Sequence, residues 1–248
     1  MARKLDIRLI TPVTTRGLRD LAEIAHLESA DLGFSHSLID IGPPSIESEF
    51  DEALSVPGTL AKALAAERDG VDAIIIDCMG DPGLKPAREL VKVPVFGPSE
   101  TSMHVAAMLG HRFSVVTVLE SVRPLLGNLA KVYGVAEKLA SVEVVDIPVL
   151  ELAARLEEVQ EALADRALHA VRHQHADAII LGCTGFLGCA GRITDRLLAA
   201  GYDIPVIDPI PTTVMVAAGL ARVGLRHSKK TYATPAVKPL VGFDLGRY

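Results

Sequence analysis

The chain has 248 residues, enough for one large domain or two small ones, and its 49% hydrophobic content can fill a real core. A formal net charge of −6, the absence of tryptophan and only 4% aromatic residues exclude a basic nucleic-acid surface and a base-stacking platform. No apolar run reaches membrane-spanning length, the N-terminus shows no signal-peptide h-region, and three cysteines do not make a disulfide framework, so a soluble cytoplasmic protein is expected.

Leu5, Ile7 and Leu9 alternate in a first strand that ends near Ile10. Thr11-Pro12-Val13-Thr14-Thr15 makes a turn with N-cap chemistry, and Leu18, Leu21, Ile24 and Ala25 form the apolar stripe of a first helix. Ser37 to Ile41 reads as a second strand, broken by Gly42-Pro43-Pro44. The polar, acidic loop from Ser45 to Glu52 leads into a helix, interrupted or restarted at Pro57-Gly58, that runs to about Arg68. Val71 to Ile76 is an Ile-rich run that reads as a strand buried on both faces, and it ends at Cys78. Pro82 suits the first turn of a short helix. Val93 to Phe96 is a fourth strand, and a helix follows from about Ser99 to Leu109.

The same order then returns. Phe113 to Val118 is a strand, a helix lies near Pro124 to Tyr133, Val142 to Ile147 is a strand, and a long helix spans Leu150 to His173. The run Ala176 to Leu181 reaches Cys183, a helix runs through Leu197, Ile204 to Ile207 is a strand, and a last helix runs through Leu220. The repeat is visible in residues too. Val71-Asp72-Ala73-Ile74-Ile75-Ile76-Asp77-Cys78-Met79-Gly80 lies 105 positions before Ala176-Asp177-Ala178-Ile179-Ile180-Leu181-Gly182-Cys183-Thr184-Gly185. Val93-Pro94-Val95-Phe96-Gly97-Pro98 matches Ile204-Pro205-Val206-Ile207-Asp208-Pro209. Eight strands alternating with helices, four per half, predict an α/β protein with two parallel sheets, duplicated into pseudo-symmetric lobes. The tail after Arg226 is basic, then Pro-rich, and ends Phe243 to Tyr248; the sequence leaves its packing undecided.

Each matched cysteine falls at the carboxyl end of a buried strand, where open α/β sheets place their ligands. A pseudo-twofold axis would bring both thiols to opposite sides of one cleft. Inverting an acidic C–H stereocentre needs proton removal on one face and delivery on the other, which a thiolate and a thiol can do, with roles exchanged for the reverse reaction. An unperturbed thiol has a pKa of about 8.5, close enough to neutrality for acid–base work. The backbone N–H groups of Met79-Gly80 and Thr184-Gly185 are candidates to hold developing enolate oxygens.

Asp77-Cys78-Met79-Gly80-Asp81-Pro82-Gly83-Leu84 and Leu181-Gly182-Cys183-Thr184-Gly185 resemble the two cysteine motifs of the aspartate/glutamate/hydantoin racemase superfamily, and the Cys-x-Gly-Asp-Pro-Gly form is similar to its hydantoin and allantoin racemase branch. Pro44-Ser45-Ile46-Glu47, Asp51-Glu52-Ala53 and Phe113-Ser114-Val115-Val116-Thr117 resemble that branch as well, and the resemblance covers roughly residues 5–222. It implies two flavodoxin-like lobes, each with a four-stranded parallel sheet, an active site in the cleft between them, and cofactor-independent racemisation with Cys78 and Cys183 as the catalytic residues. It implies substrate contacts from Thr11, Pro12, Val13, Ser45, Met79, Gly80, Thr184 and Gly185. It also implies exchange of helices near the crossover: lobe one as residues 1–98 plus about 208–226, lobe two as 99–207, and a tail of 227–248. One departure stands out. Thr11-Pro12-Val13-Thr14 replaces the branch's usual Asn-Pro-Asn-Thr-type turn, so two amide side chains are missing.

Either cysteine alone reads as a buried inert thiol; the pair, at equivalent repeat positions before glycine-containing turns, reads as functional. Cys189 has no counterpart in the first half and reads as structural. Gly182, Gly185, Gly188 and Gly191 do not have dinucleotide-fingerprint spacing. His169 and His173 share a helix face, with His175 close by, but no third ligand is evident, so they read as solvated and no metal is expected. His104, Glu47 and Asp51 read equally as site residues or as packed and solvated groups. A small-molecule substrate and a homo-oligomer are expected, with no membrane partner, no nucleic acid and no cofactor. Among substrates, a cyclic ureide (a 5-substituted hydantoin or allantoin) ranks first. The alternatives are a racemase of free acidic amino acids, an isomerase or decarboxylase of small dicarboxylates resembling maleate isomerase or arylmalonate decarboxylase, and a non-catalytic binding protein.

Overall fold

The computed structural model describes residues 3–242. In chain order it holds β1 Leu5–Thr11, β2 Leu32–Leu38, α1 Glu49–Asp69, β3 Ala73–Ile76, α2 Leu84–Leu90, β4 Val95–Phe96 and α3 Pro98–Leu109. It continues with β5 Phe113–Thr117, α4 Arg123–Val132, β6 Leu139–Val144, α5 Leu156–Gln174, β7 Ala178–Leu181, α6 Ala190–Ala199, β8 Val206–Ile207 and α7 Pro209–Arg222. The strands form two four-stranded sheets, ordered β2-β1-β3-β4 and β6-β5-β7-β8, and every pairing is parallel. This is the two-sheet α/β architecture that the repeat predicts.

Two compact units result. The first takes the described residues up to Ser45, Phe50–Gly97 and those from Thr213 onward; the second takes Ile46–Glu49 and Pro98–Thr212. In the first, Ile10, Ile74, Ile76 and Val95 pack with Ala63, Leu64 and Ala66 of α1 and Leu84 and Ala87 of α2. In the second, Val116, Ile179 and Leu181 pack with Val159, Leu163 and Ala167 of α5 and Ile193 and Leu197 of α6. The four residues of β3 and the four of β7 are all buried, as strands covered by helices on both faces must be. Among the described residues, no helix is long and apolar enough to cross a membrane.

Several elements differ from expectation. Pro82 precedes the Gly83 cap of α2 rather than lying in its first turn. The helix predicted from Leu18 is a 3-10 turn, Leu21–Leu27, capped by Asp20, which accepts from Ala22 N; only Ile24 is buried in it. The second strand is Leu32–Leu38 rather than Ser37 to Ile41, in register with β1 from Leu5↔Leu32 to Thr11↔Leu38. Ile39 instead packs where α1 comes close: a Cβ on Gly58 would lie 2.8 Å from Ile39 Cβ. The helix α1 runs unbroken through Pro57. The Ser55 and Thr59 hydroxyls, which flank Pro57, donate to the Glu52 and Ser55 carbonyls, both of them before it. In the second unit β6 begins at Leu139 and ends before Asp146, which takes a positive φ of 61°, and a short 3-10 turn, Val149–Glu151, precedes α5.

Past α7, the tail folds back on the first unit. His227 Nε2 lies 2.8 Å from Val95 O, and its ring meets Phe96 and Tyr232. Lys229 Nζ donates to the Arg88 and Glu89 carbonyls at the end of α2. The terminal stretch Phe243 to Tyr248 lies outside the described residues.

Candidate functional site

In a sheet ordered 2-1-3-4, the chain reverses direction of winding between β1 and β3, and the carboxyl ends of those strands open a crevice. In the first unit this point is bounded by the turn after β1, which starts at Thr11, and the turn after β3, which carries Cys78. Thr14 N donates to Pro43 O at 3.0 Å, which ties the first turn to the segment leading to Ser45. Cys78 is half-buried, and its Sγ accepts the Gly80 N–H at 3.4 Å. The turn is closed by Asp81 N donating to Cys78 O at 3.0 Å.

The second unit repeats this geometry. The switch point lies between β5 and β7, and Cys183 follows β7. Cys183 is half-buried, and its Sγ accepts the Gly185 N–H at 3.3 Å, capping the 3-10 turn Thr184–Phe186. A Cβ on Gly185 would lie 3.0 Å from Leu152 Cδ1 and 3.4 Å from that sulfur. An N–H aimed at sulfur favours the thiolate over the thiol. The two glycine amides that the sequence offers to an enolate oxygen are thus directed at sulfur.

Of the other candidates, Thr11, Pro12, Val13, Met79, Gly80 and Thr184 are buried, Ser45 is half-buried and Gly185 is exposed. The Glu47 carboxylate accepts from Val149 N at 2.6 Å, so Glu47 holds the start of the turn before α5. Cys189 is 1% exposed, and burial, with the Asp208 charge, pushes its thiol up to about 11 despite a bond to Gln160. It is a core residue, as its lack of a repeat partner implies. His169 Nδ1 lies 3.4 Å from Glu143, and its ring meets that of His173. Among the described residues, no cluster of three or more such side chains could hold a metal ion.

Arg19, His36 and Glu23, which the sequence did not single out, join Thr11 and Asp77 in one network. Asp77 precedes Cys78 and is 1% exposed. Its carboxylate accepts two bonds from Arg19, Nε to Oδ2 at 2.8 Å and Nη2 to Oδ1 at 2.9 Å, and a third from Thr11 Oγ1 at 2.8 Å. Thr11 Oγ1 also lies 2.9 Å from His36 Nε2. The threonine has a single proton, already donated to Asp77, so His36 must be the donor and carries its hydrogen on Nε2. Arg19 donates in turn to Glu23 at 2.9 Å. Burial pulls the Arg19 guanidinium down, but the charge and hydrogen bonds of Asp77 outweigh it and hold it above its ordinary value. Such a pair is stable only as a pair: truncating one partner would leave a buried charge, at a cost of about 3–5 kcal/mol. The signal was present in part, since Asp77 ends an otherwise apolar strand and a charge there demands a partner. The partner, 58 positions away, carries no local mark.

The family model for Asp/Glu/Hydantoin racemase matches residues 11–217. A hydantoin racemase of Pseudomonas sp. (strain NS671) is 36% identical over 241 residues, covering 96% of this chain and 95% of that protein. A hydantoin racemase of Rhizobium meliloti is 37% identical over 245 residues, covering 96% and 98%. The structure of an allantoin racemase from Klebsiella pneumoniae superposes with a TM-score of 0.90 at 34% identity, covering 96% of this chain and 97% of that one.

Proposed function

This chain belongs to the Asp/Glu/hydantoin racemase family and is an isomerase, and we propose that it inverts the C5 stereocentre of a 5-substituted hydantoin or of allantoin with Cys78 and Cys183 as the two bases. One thiolate removes the C5 proton and the electron pair moves onto the ring carbonyl. The other thiol then delivers its proton to the opposite face and the carbonyl re-forms. The product leaves the first cysteine protonated and the second as thiolate, which is the starting state for the reverse reaction. No electron sink beyond the ring carbonyl is required, so the reaction needs neither metal nor pyridoxal. The observation that carries this reading is the equivalence of the thiols: each follows the third strand of its sheet, and each accepts the N–H of the glycine two residues on. With Gly80 and Gly185 directed at sulfur, we assign the enolate contact to the Met79 and Thr184 amides.

The ureide is favoured over a free amino acid on electrostatic grounds. Deprotonating beside an existing carboxylate adds charge to charge, and such a substrate calls for an arginine clamp. Buried Arg19 is held by Asp77, and buried Arg88 donates to Val95 O at 3.0 Å and contacts Tyr232. Arg16 is exposed on the turn after β1. The test is a steady-state comparison of L-5-alkylhydantoins and allantoin with L-aspartate and L-glutamate, together with C–H to C–D exchange in D2O. Turnover of a free amino acid with none of either ureide would overturn the proposal.

A further inference from the structure

The backbone pairing at the strand ends is the same in the two halves, but the residue before the cysteine differs. Asp77 N donates to Ile10 O at 2.8 Å, and its repeat equivalent, Gly182 N, donates to Val116 O at 2.7 Å. Thr11 bonds the Asp77 carboxylate, and Thr117, its equivalent, bonds the Gly182 carbonyl at 3.1 Å. The second half has no side chain at this position, and it has no room for one: a Cβ on Gly182 would lie 2.8 Å from Val116 O. The first half carries a carboxylate there and an arginine to neutralise it. A charged pair in the core is seldom the most stable choice for a site that an apolar residue could fill. Its placement, one peptide bond before Cys78 and absent before Cys183, calls for a local role.

Building on the reading of Cys78 as an acid–base residue, we propose that Arg19, by gripping the Asp77 carboxylate at two points, is a positioning residue for Cys78 alone. The fork of the guanidinium fixes the orientation of Asp77, and Thr11 fixes it from a third direction. With Asp77 side chain and amide both anchored, the Asp77–Cys78 peptide has one orientation, and the Cys78 sulfur is held against the Gly80 N–H. Cys183 gets the same alignment from close packing of Gly182 on β5 and needs no such device. The two thiols are therefore set by different means and respond separately to mutation.

The test is site-resolved alkylation of the full-length protein with iodoacetamide across a pH series. The extent at Cys78 and Cys183 is read from their peptides by mass spectrometry, with racemisation of the ureide measured on the same samples. Two variants are used, Arg19→Lys, which keeps the charge but loses the fork, and Arg19→Met with Asp77→Val, which removes both charges together. We expect the Cys78 alkylation midpoint to rise by about half a pH unit or more in both, as sulfur loses its N–H partner. The Cys183 midpoint stays at its parental value. In kinetics, kcat falls about tenfold or more while KM stays within about threefold, as for loss of a transition-state alignment. Circular dichroism identifies folded samples; should neither variant fold, Thr11→Val, which removes one bond to Asp77 and keeps both charges, decides by the same criterion. A Cys78 midpoint that stays put, or that moves together with Cys183, overturns the proposal. The alkylation result does not depend on the substrate, so failure of the parent to racemise any ureide would count against the functional reading alone.

Discussion

A side chain on Gly97 would collide with the carboxylate of Asp81: a Cβ built there lies 2.4 Å from Asp81 Cγ. Asp81 is buried, sits in the Cys78 turn and takes a positive φ of 50°. In the second half the same relation is reversed. The residue matching Gly97 is Asp208, and its carboxylate accepts from Gly188 N at 3.0 Å and from Ile210 N at 3.3 Å. One carboxylate thus fills the space between the cysteine turn and the end of the fourth strand in each half. It comes from the turn in the first half and from the strand end in the second.

Gly97→Ala should therefore destabilise the protein by about 1–3 kcal/mol, the usual range for overpacking. Adding Asp81→Gly should recover most of that loss, because it clears the collision and suits a positive φ. Urea unfolding of the two single variants and the double forms a thermodynamic cycle. Additive losses would show that the two residues do not share this space.

Cys78→Ala and Cys183→Ala should each abolish racemisation, since inversion needs a base on each face. Either variant can still exchange the C5 proton of one enantiomer, because a single base suffices for return to the same face. Cys189→Ala should racemise normally, and the native Cys189 should resist alkylation until the pH nears about 11. Chiral chromatography and mass-detected deuterium incorporation separate these outcomes. Full racemisation by either of the first two variants would exclude two-base chemistry.

Exhaustive dialysis against a chelator should leave the activity unchanged, as should borohydride, which traps lysine–pyridoxal imines. In the proposed reaction the two thiols move the proton and the ring carbonyl takes the electron pair, so no further electron sink is called for. Restoration of a lost activity by one defined metal would refute it.

The sequence carried the architecture because duplication prints the same strand twice. The strands that lead to Cys78 and Cys183, Ala73–Ile76 and Ala178–Leu181, are wholly apolar, as strands covered on both faces require, and the matched cysteines marked the two turns. What it could not carry was whatever rests on distant partners. The stripe from Leu18 to Ala25 carries no sign that Arg19 beside it pairs with Asp77 in the core, and the segment forms a 3-10 turn rather than the expected helix. Likewise, Ile39 and Ile41 look like strand residues, yet Ile39 packs on α1 and Ile41 is 83% exposed. Glu47 reads equally as a substrate contact or a solvated charge, and only folding supplies the Val149 N–H that its carboxylate accepts.

His36 offers a last, independent check on the Thr11–Asp77 network. Burial lowers its pKa below the ordinary value of 6.5; Asp77 works against that shift, and Arg19 and Arg8 add to it. At neutral pH the ring is therefore uncharged and donates from Nε2 to Thr11. Below about pH 6.5 the unfolded chain binds a proton at this position before the folded one does, so stability present above that pH is lost as the pH falls through the folded-state value. In His36→Gln the amide nitrogen can stand where Nε2 stood, so the bond to Thr11 persists while the titration is removed. Urea unfolding at pH 7.5 and at pH 5 should show the variant losing less stability on acidification than its parent. An equal loss in both proteins would mean that His36 is not held neutral in the fold.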